Sequence, residues 1–427
     1  MTETDPNLIE IPYGDHSVIS LDSAGLNIAG IMTPVDVSGA PSVETALRTA
    51  IDRPIGSPIL ESLGESGDEY LIVADDMTRE TPVAEMIRVV AESLSTAGVS
   101  DDQITVLIAT GTHRPMTDAE ILERFGEELT RRFEIRNHDY QTSTLTDLGL
   151  TDNGTPISVN QRVLDADVVI GMSSIVPHHI PGYSGGSKII QPGVSGEPTT
   201  ASTHMFSAVS DTQILGMVES PVRREMEEVA ARAGLTAILN TTLNARGEMV
   251  DAFFGDPKAA FRAGTKASKR IYGLDAPSNV DIVIAGSHPC DIEFWQAHKS
   301  LFPAAQMVRP GGTIIVVAPC PEGVAMTHDD VLNYADQTYS RIRDLVDAGA
   351  VHDPVGASNA VAWSRIREFA DISLVSGGIS AEDCRALGFK PFESLDDALG
   401  DARRRLGKDA SVAVMTHAPD TLPIPVN

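Results

Sequence analysis

The chain has 427 residues, of which 42% are hydrophobic and 22% charged, too many for one ordinary core and typical of a globular protein with two domains. Its formal net charge of −28 repels nucleic acid and anionic membranes and argues against both as partners. No run of about 18 apolar residues is present, so no membrane span is expected.

The first residues, MTETDPNLIEIPYGDHS, are acidic and lack a basic segment followed by an apolar one, so no signal peptide is expected. Cys290, Cys320 and Cys384 are far apart, and none has a second cysteine at metal-ligand spacing. That pattern fits buried structural thiols in a reducing cytoplasm better than a disulfide framework or zinc ribbon. Arginine outnumbers lysine; an acidic, lysine-poor surface fits a high-salt cytoplasm and a merely solvated acidic surface equally.

In chain order, β-branched runs predict strands at 69–76 (EYLIVADD), 104–111 (ITVLIATG), 133–139 (FEIRNHD) and 166–176 (ADVVIGMSSIV). Amphipathic helices are expected between them at 82–98 and 116–133. The first has Pro82 near its start and Gly98 at its end, and Thr117 or Asp118 could cap the second. A second series follows: strands at 280–286, 311–319, 371–378 and 411–418, with a helix at 294–308. Strand–helix alternation predicts α/β domains with mostly parallel sheets. The polar stretch 271–281 is the expected boundary, giving an N-terminal cofactor-binding and catalytic domain, 1–275, and a C-terminal α/β domain, 276–427. No internal repeat is evident.

Reactive-looking residues follow three strands directly: Asp76, Thr78 and Arg79; His113 and Arg114; His178 and His179. Loops at the carboxyl ends of parallel strands converge on one crevice, so these clusters are expected to share a site.

Residues 177–196, PHHIPGYSGGSKIIQPGVSG, combine backbone freedom with a few chemical groups. They are not a phosphate loop of the G-x-x-x-x-G-K-[ST] kind. From Gly182, Ser187 stands where the second glycine belongs, and Ile189 follows Lys188. GYSGG satisfies G-x-S-x-G, which would make Ser184 a hydrolase nucleophile, but the predicted strand ends at Val176, before Pro181 and the motif. The third reading joins Lys188 with histidines. Gly185 and Gly186 would let the backbone approach a bound molecule, the lysine amine is a point for covalent attachment, and His113, His178 and His204 are candidate bases or metal ligands.

Taken together, DDMTRETP (75–82), ATGTHRPMT (109–117), NHDY (137–140), the stretch at 177–193, STHMFS (202–207) and FWQAHKS (294–300) resemble the lactate racemase family, nickel-pincer nucleotide enzymes. The resemblance implies two α/β domains with the active site in the cleft between them. It implies that Lys188 tethers the cofactor, a pyridinium bisthiocarboxylate mononucleotide carrying nickel, and that His204 is the imidazole ligand of the metal. His113 and His178 match the paired acid/base histidines. Asp76, Thr78 and Arg79 match the cofactor and substrate pocket, with Gly185 and Gly186 beside the tether. Gln296 and Lys299 match second-domain residues that close over the substrate, and Arg79 and Lys299 are the natural carboxylate anchors. The expected activity is racemisation or epimerisation of a 2-hydroxy acid by reversible hydride transfer, in a cytoplasmic enzyme that depends on cofactor maturation enzymes. Trp295 stands where a different aromatic is expected, either reshaping the substrate wall or packing the core. A non-catalytic cofactor-binding relative would have lost one of His113, His178, Lys188 or His204, and all are present.

Overall fold

The computed structural model describes residues 7–65 and 67–426. Two compact units emerge: Asp36–Ser207 with Thr212–Ile271, and residues 7–35 with Ala208–Asp211 and 272–426. Each is α/β and built on a six-stranded sheet. Among the described residues no helix is long and apolar enough to cross a membrane.

In the first unit the strands lie in the order Met249–Gly255, Leu235–Leu243, Val168–Ser174, Tyr70–Asp75, Ile104–Ala109, Glu134–Asn137. All pairings are parallel except that of the two strands nearest Met249. Val168–Ser174 is buried throughout and Tyr70–Asp75 nearly so, on both faces, as central strands between helices must be. Helix Val83–Thr96 turns Val83, Met86, Ile87, Val90, Ala91 and Leu94 inward, one stripe at helical spacing. It stops where Gly98 takes φ +92°, a conformation glycine adopts without strain. Helix Asp118–Arg132 starts as expected at Thr117, whose side chain accepts from the Glu120 amide in a capping box.

In the second unit the order is Lys390–Phe392, Asp371–Val375, Val308–Val317, Val280–Gly286, Ser411–Met415, Asn27–Met32, all parallel. Here the structure departs from the division expected at 275/276. Residues 7–35 belong with the C-terminal unit, because Asn27–Met32 completes its sheet and Ile9, Ile11 and Leu21 join its core beside Ile282, Ile284 and Ile315. Residues 1–6, part of the acidic N-terminal stretch, lie outside the described residues.

The helix expected over 294–308 is broken into Phe294–Ala297, a 3-10 turn at His298–Ser300, and Leu301–Met307. Pro303 supplies the reason: it has no amide proton for the Lys299 carbonyl, and its ring crowds that turn.

Candidate active site

Three loops at the carboxyl ends of the first unit's strands meet. The Ser174 amide donates to Asp75 Oδ2 (3.1 Å), joining the ends of Tyr70–Asp75 and Val168–Ser174. The Gly111 amide donates to the Gly193 carbonyl (2.9 Å), joining the His113 loop to the far end of the glycine-rich stretch. Within these loops Asp76 is buried, and its Oδ2 lies 2.8 Å from His113 Nδ1. Asp76 Oδ1 accepts from the Thr78 amide (3.0 Å) and hydroxyl (2.5 Å). Burial would raise the Asp76 pKa, but the His113 ring, Arg79 and Thr78 outweigh it and hold the carboxyl well below the usual range. A carboxylate so held accepts a hydrogen bond from His113 Nδ1–H, so the neutral ring keeps its lone pair on Nε2.

Asp75, its neighbour, is pushed the other way. Burial raises its pKa against the opposing pull of Arg79, the Thr81 hydroxyl and Arg124. Two adjacent carboxyls driven apart by their surroundings are a mark of functional sites. Arg124, which the sequence did not single out, binds the carbonyls of Asp75 (3.2 Å), Arg79 (2.9 Å) and Thr81 (3.4 Å) and so shapes this loop. Arg79 uses Nη1 for the Thr78 carbonyl (2.8 Å) and hydroxyl (2.9 Å). Its Nε–Nη2 edge makes no hydrogen bond among the described residues, which leaves a fork for a carboxylate. Arg114, by contrast, is committed to a bidentate pair with Glu120 (2.9 and 2.7 Å) at a helix start.

His178 lies in a two-residue strand pairing with Gly182–Tyr183. Its Nδ1 accepts from the Ile180 amide (3.2 Å), and its ring stacks on His179 with centroids 4.7 Å apart. A backbone amide can only donate, so the neutral His178 ring carries its proton on Nε2. His113 and His178 are therefore held in opposite tautomers.

Lys188 is half-buried in the 3-10 turn Gly186–Ile189, and His204 is half-buried on helix Glu197–Ala208. Gly185 (φ +77°) and Gly186 (φ +59°) both take left-handed backbone, and packing leaves no room for a side chain at either. A Cβ at the first would come within 2.6 Å of Ile175, and at the second within 2.9 Å of Phe261. Their bare faces meet the protein core. His138 of NHDY is also structural: it is buried, Nε2 contacts the Ser195 carbonyl (3.1 Å), and Nδ1 contacts the Asn160 amide (3.1 Å). Burial pushes its pKa down to about 4 against the pull of Ser195.

Ser184 is not placed as a nucleophile. It is 4% exposed; its hydroxyl donates to the Ser174 carbonyl (2.7 Å) and accepts from the Val176 amide (2.9 Å). The hydroxyl staples the start of the loop to the strand end, and the hydrolase reading falls with it.

In the second unit Lys299 Nζ donates to Gln296 Oε1 and lies 3.9 Å from Cys290 Sγ. Trp295 is 6% exposed and packs among aromatic rings: stacked on His328 (centroids 4.1 Å) and edge-on to His298 and Trp363. Of its two expected roles these surroundings match the core one. His328 is paired with Asp353 (2.8 Å), a buried dyad that no sequence pattern signalled. Cys320 and Cys384 are buried thiols as expected, burial pushing the second up to about 12, whereas Cys290 is half-buried beside Lys299.

A family model described as the lactate racemase N-terminal domain matches residues 13–216, and one described as the lactate racemase C-terminal domain matches 275–422. The chain belongs to the lactate racemase family. The lactate racemase of Thermoanaerobacterium thermosaccharolyticum is 29% identical over 321 residues, 74% of this chain and 75% of the relative. That of Lactiplantibacillus plantarum is 26% identical over 424 residues, 95% and 97% of the two chains. The lactate racemase apoprotein structure from T. thermosaccharolyticum superposes with a TM-score of 0.87 at 25% identity, over 98% of this chain and 100% of that one. A Thermotoga maritima protein, 18% identical with a TM-score of 0.72 over 91% and 100%, shares the fold. Membership makes the chain an isomerase and implies a nickel-dependent cofactor.

Proposed function

We propose that this enzyme racemises or epimerises a 2-hydroxy acid using a nickel-pincer nucleotide tethered to Lys188. The observation that supports the reading is the pairing of buried Asp76 with half-buried His113 beside the loop that presents Lys188. The donor set is consistent with such a cofactor. Among the described residues no group of three or more His, Cys, Asp or Glu side chains is placed to hold a metal ion. A metal here would bring ligands of its own and need one imidazole, the part assigned to His204. When bound, the cofactor supplies the hydride acceptor.

The chain's own residues handle protons and position. His113 accepts the substrate hydroxyl proton at Nε2, and the imidazolium so formed is stabilised by Asp76 across 2.8 Å. His178 presents an N–H at Nε2 to the substrate oxygen in its resting tautomer. To accept a proton there it must first release the Ile180 amide. Arg79 offers its open edge to the substrate carboxylate; in the second unit Lys299, hydrogen-bonded to Gln296 Oε1, is a cation able to hold a carboxylate. Thr78 orients Asp76 and Arg79 together. Lactate, the substrate named for the relatives, is the first candidate, and the enzyme works in the cytoplasm after maturation enzymes supply the cofactor.

The test is intact-mass and metal analysis of protein co-produced with cofactor-making enzymes, followed by a screen of D- and L-2-hydroxy acids for stereochemical exchange. An adduct on Lys188 with near-stoichiometric nickel is expected. A bare, nickel-free chain, with a known racemase loaded in parallel, would refute the reading.

A further inference from the structure

The turn that carries Lys188 rests on a buried cation. Arg223, on helix Pro221–Arg232, is 0% exposed. Its Nη1 donates to the Gly185 carbonyl (3.0 Å) and its Nη2 to the Tyr183 carbonyl. The guanidinium lies 4.1 Å from the centroid of the Phe261 ring, the same ring that closes off the Cβ side of Gly186. From the other side Asn240 Oδ1 accepts the Gly186 amide (2.7 Å) while its Nδ2 donates to Ser173 Oγ (2.8 Å). Residues 183–186 are thus gripped by side chains from three separate elements.

Arg223 is an expensive way to fill this space. Among the described residues no carboxylate hydrogen-bonds it, and its Nε has no partner. Glu227 acts on it only through space, and that carboxylate is shared with Lys258 (3.4 Å) and Arg262 (3.7 Å). Burial lowers the Arg223 pKa to about 9, so it stays charged at neutral pH. A buried charge held by carbonyls rather than by a counter-ion destabilises a fold relative to an apolar side chain of equal volume. The forked head can do one thing such a side chain cannot: bind two carbonyls two residues apart in a fixed geometry.

We propose that Arg223 is a positioning residue for Lys188, clamping the Tyr183 and Gly185 carbonyls so that the turn presents the lysine amine for covalent tethering. The proposal rests on the reading of Lys188 as the tether. It extends that reading to a residue 35 positions away in sequence that makes no pattern with the glycine stretch.

To test it, wild type, Arg223→Met, Arg223→Lys and Phe261→Leu are each co-produced with the cofactor-making enzymes. Intact mass gives the fraction of folded chains carrying an adduct, and hydrogen exchange over 182–190 is followed on unloaded protein. The expected result is a fall in adduct of about tenfold or more in Arg223→Met. Arg223→Lys keeps the charge without the fork and is expected in between. Exchange over 182–190 should be faster in both. Wild-type adduct and exchange in a folded Arg223→Met protein would overturn the proposal. If that variant does not fold, Arg223→Lys and Phe261→Leu decide by the same criterion. An unmodified wild-type chain would sink the tether reading instead, and the clamp would then stand or fall on the exchange data alone.

Discussion

The two units are wired alike and equipped differently. In each sheet a central strand, Tyr70–Asp75 in one and Val280–Gly286 in the other, starts a parallel series, although the second sheet also takes an earlier segment, Asn27–Met32, at its edge. The next strands run outward on one side, and a later strand, Val168–Ser174 or Ser411–Met415, lies against the opposite edge. That reversal is where open α/β sheets bind ligands. In the first unit the reversal carries Asp75, Asp76 and His178, with the His113 loop next to it. In the second it carries His288 and His417, whose rings meet edge-on with centroids 5.8 Å apart. Burial, and then the neighbouring His288, push the His417 pKa down to about 4. One strand end holds an ionised carboxylate paired with the His113 ring, and the other holds an uncharged imidazole. A shared scaffold does not carry a shared chemistry; the loops do.

The largest difference between the two strand ends is expected from substitutions of the imidazole at each and of its carboxylate partner. His113→Ala is expected to lower kcat by roughly 10³ or more, and Asp76→Asn by roughly 10² to 10⁴ through loss of the tautomer. His417→Ala should leave kcat within about fivefold, the usual range of a neighbour outside the chemistry. Initial rates of D/L exchange on fully loaded protein check all three, and equal losses at His113 and His417 would erase the distinction drawn here. Next in size, on the proposed anchoring role Lys299→Ala should raise KM by roughly 10- to 100-fold with a smaller change in kcat, since such an anchor binds ground and transition states alike.

In acid the two units carry the same liability. His138 in the first unit and His417 in the second both titrate near 4 when folded, against about 6.5 unfolded. The unfolded chain binds protons first, so each contributes stability that is fully present above about pH 6.5 and is lost as pH falls through 4. For His138, which is fully buried, the loss is on the order of 3 kcal/mol; the partly exposed His417 contributes less. Denaturant midpoints between pH 7 and pH 4 should fall steeply for the wild type and more gently for His138→Gln. The smallest effect belongs to Ser184→Ala, which should cost about 1–2 kcal/mol in stability and leave exchange kinetics nearly unchanged.

Much of this was legible in the chain itself. Every strand expected from β-branched runs exists within a few residues; the central ones read as continuous apolar stretches because both their faces are buried, while Glu134–Asn137 is a half-exposed edge strand. The loops after those strands meet for the same topological reason. Other features were invisible because they depend on partners far apart in sequence. Asn27–Met32 is half-exposed and short, and only its pairing with Ser411–Met415 shows which unit it completes. Nothing in GYSGG says that the serine hydroxyl faces a strand-end carbonyl ten residues back.

The amino-acid order settles what is local: which runs become strands, where reactive residues leave them, and which ionisable side chains stand there. Tertiary structure alone decided which of these groups are held by others. It made Asp76 a counter-ion, sealed Ser184 and Trp295 into packing, and set Arg223 beneath the lysine turn. The physical reason is that burial and hydrogen bonding fix protonation, tautomer and access, and all three are properties of surroundings.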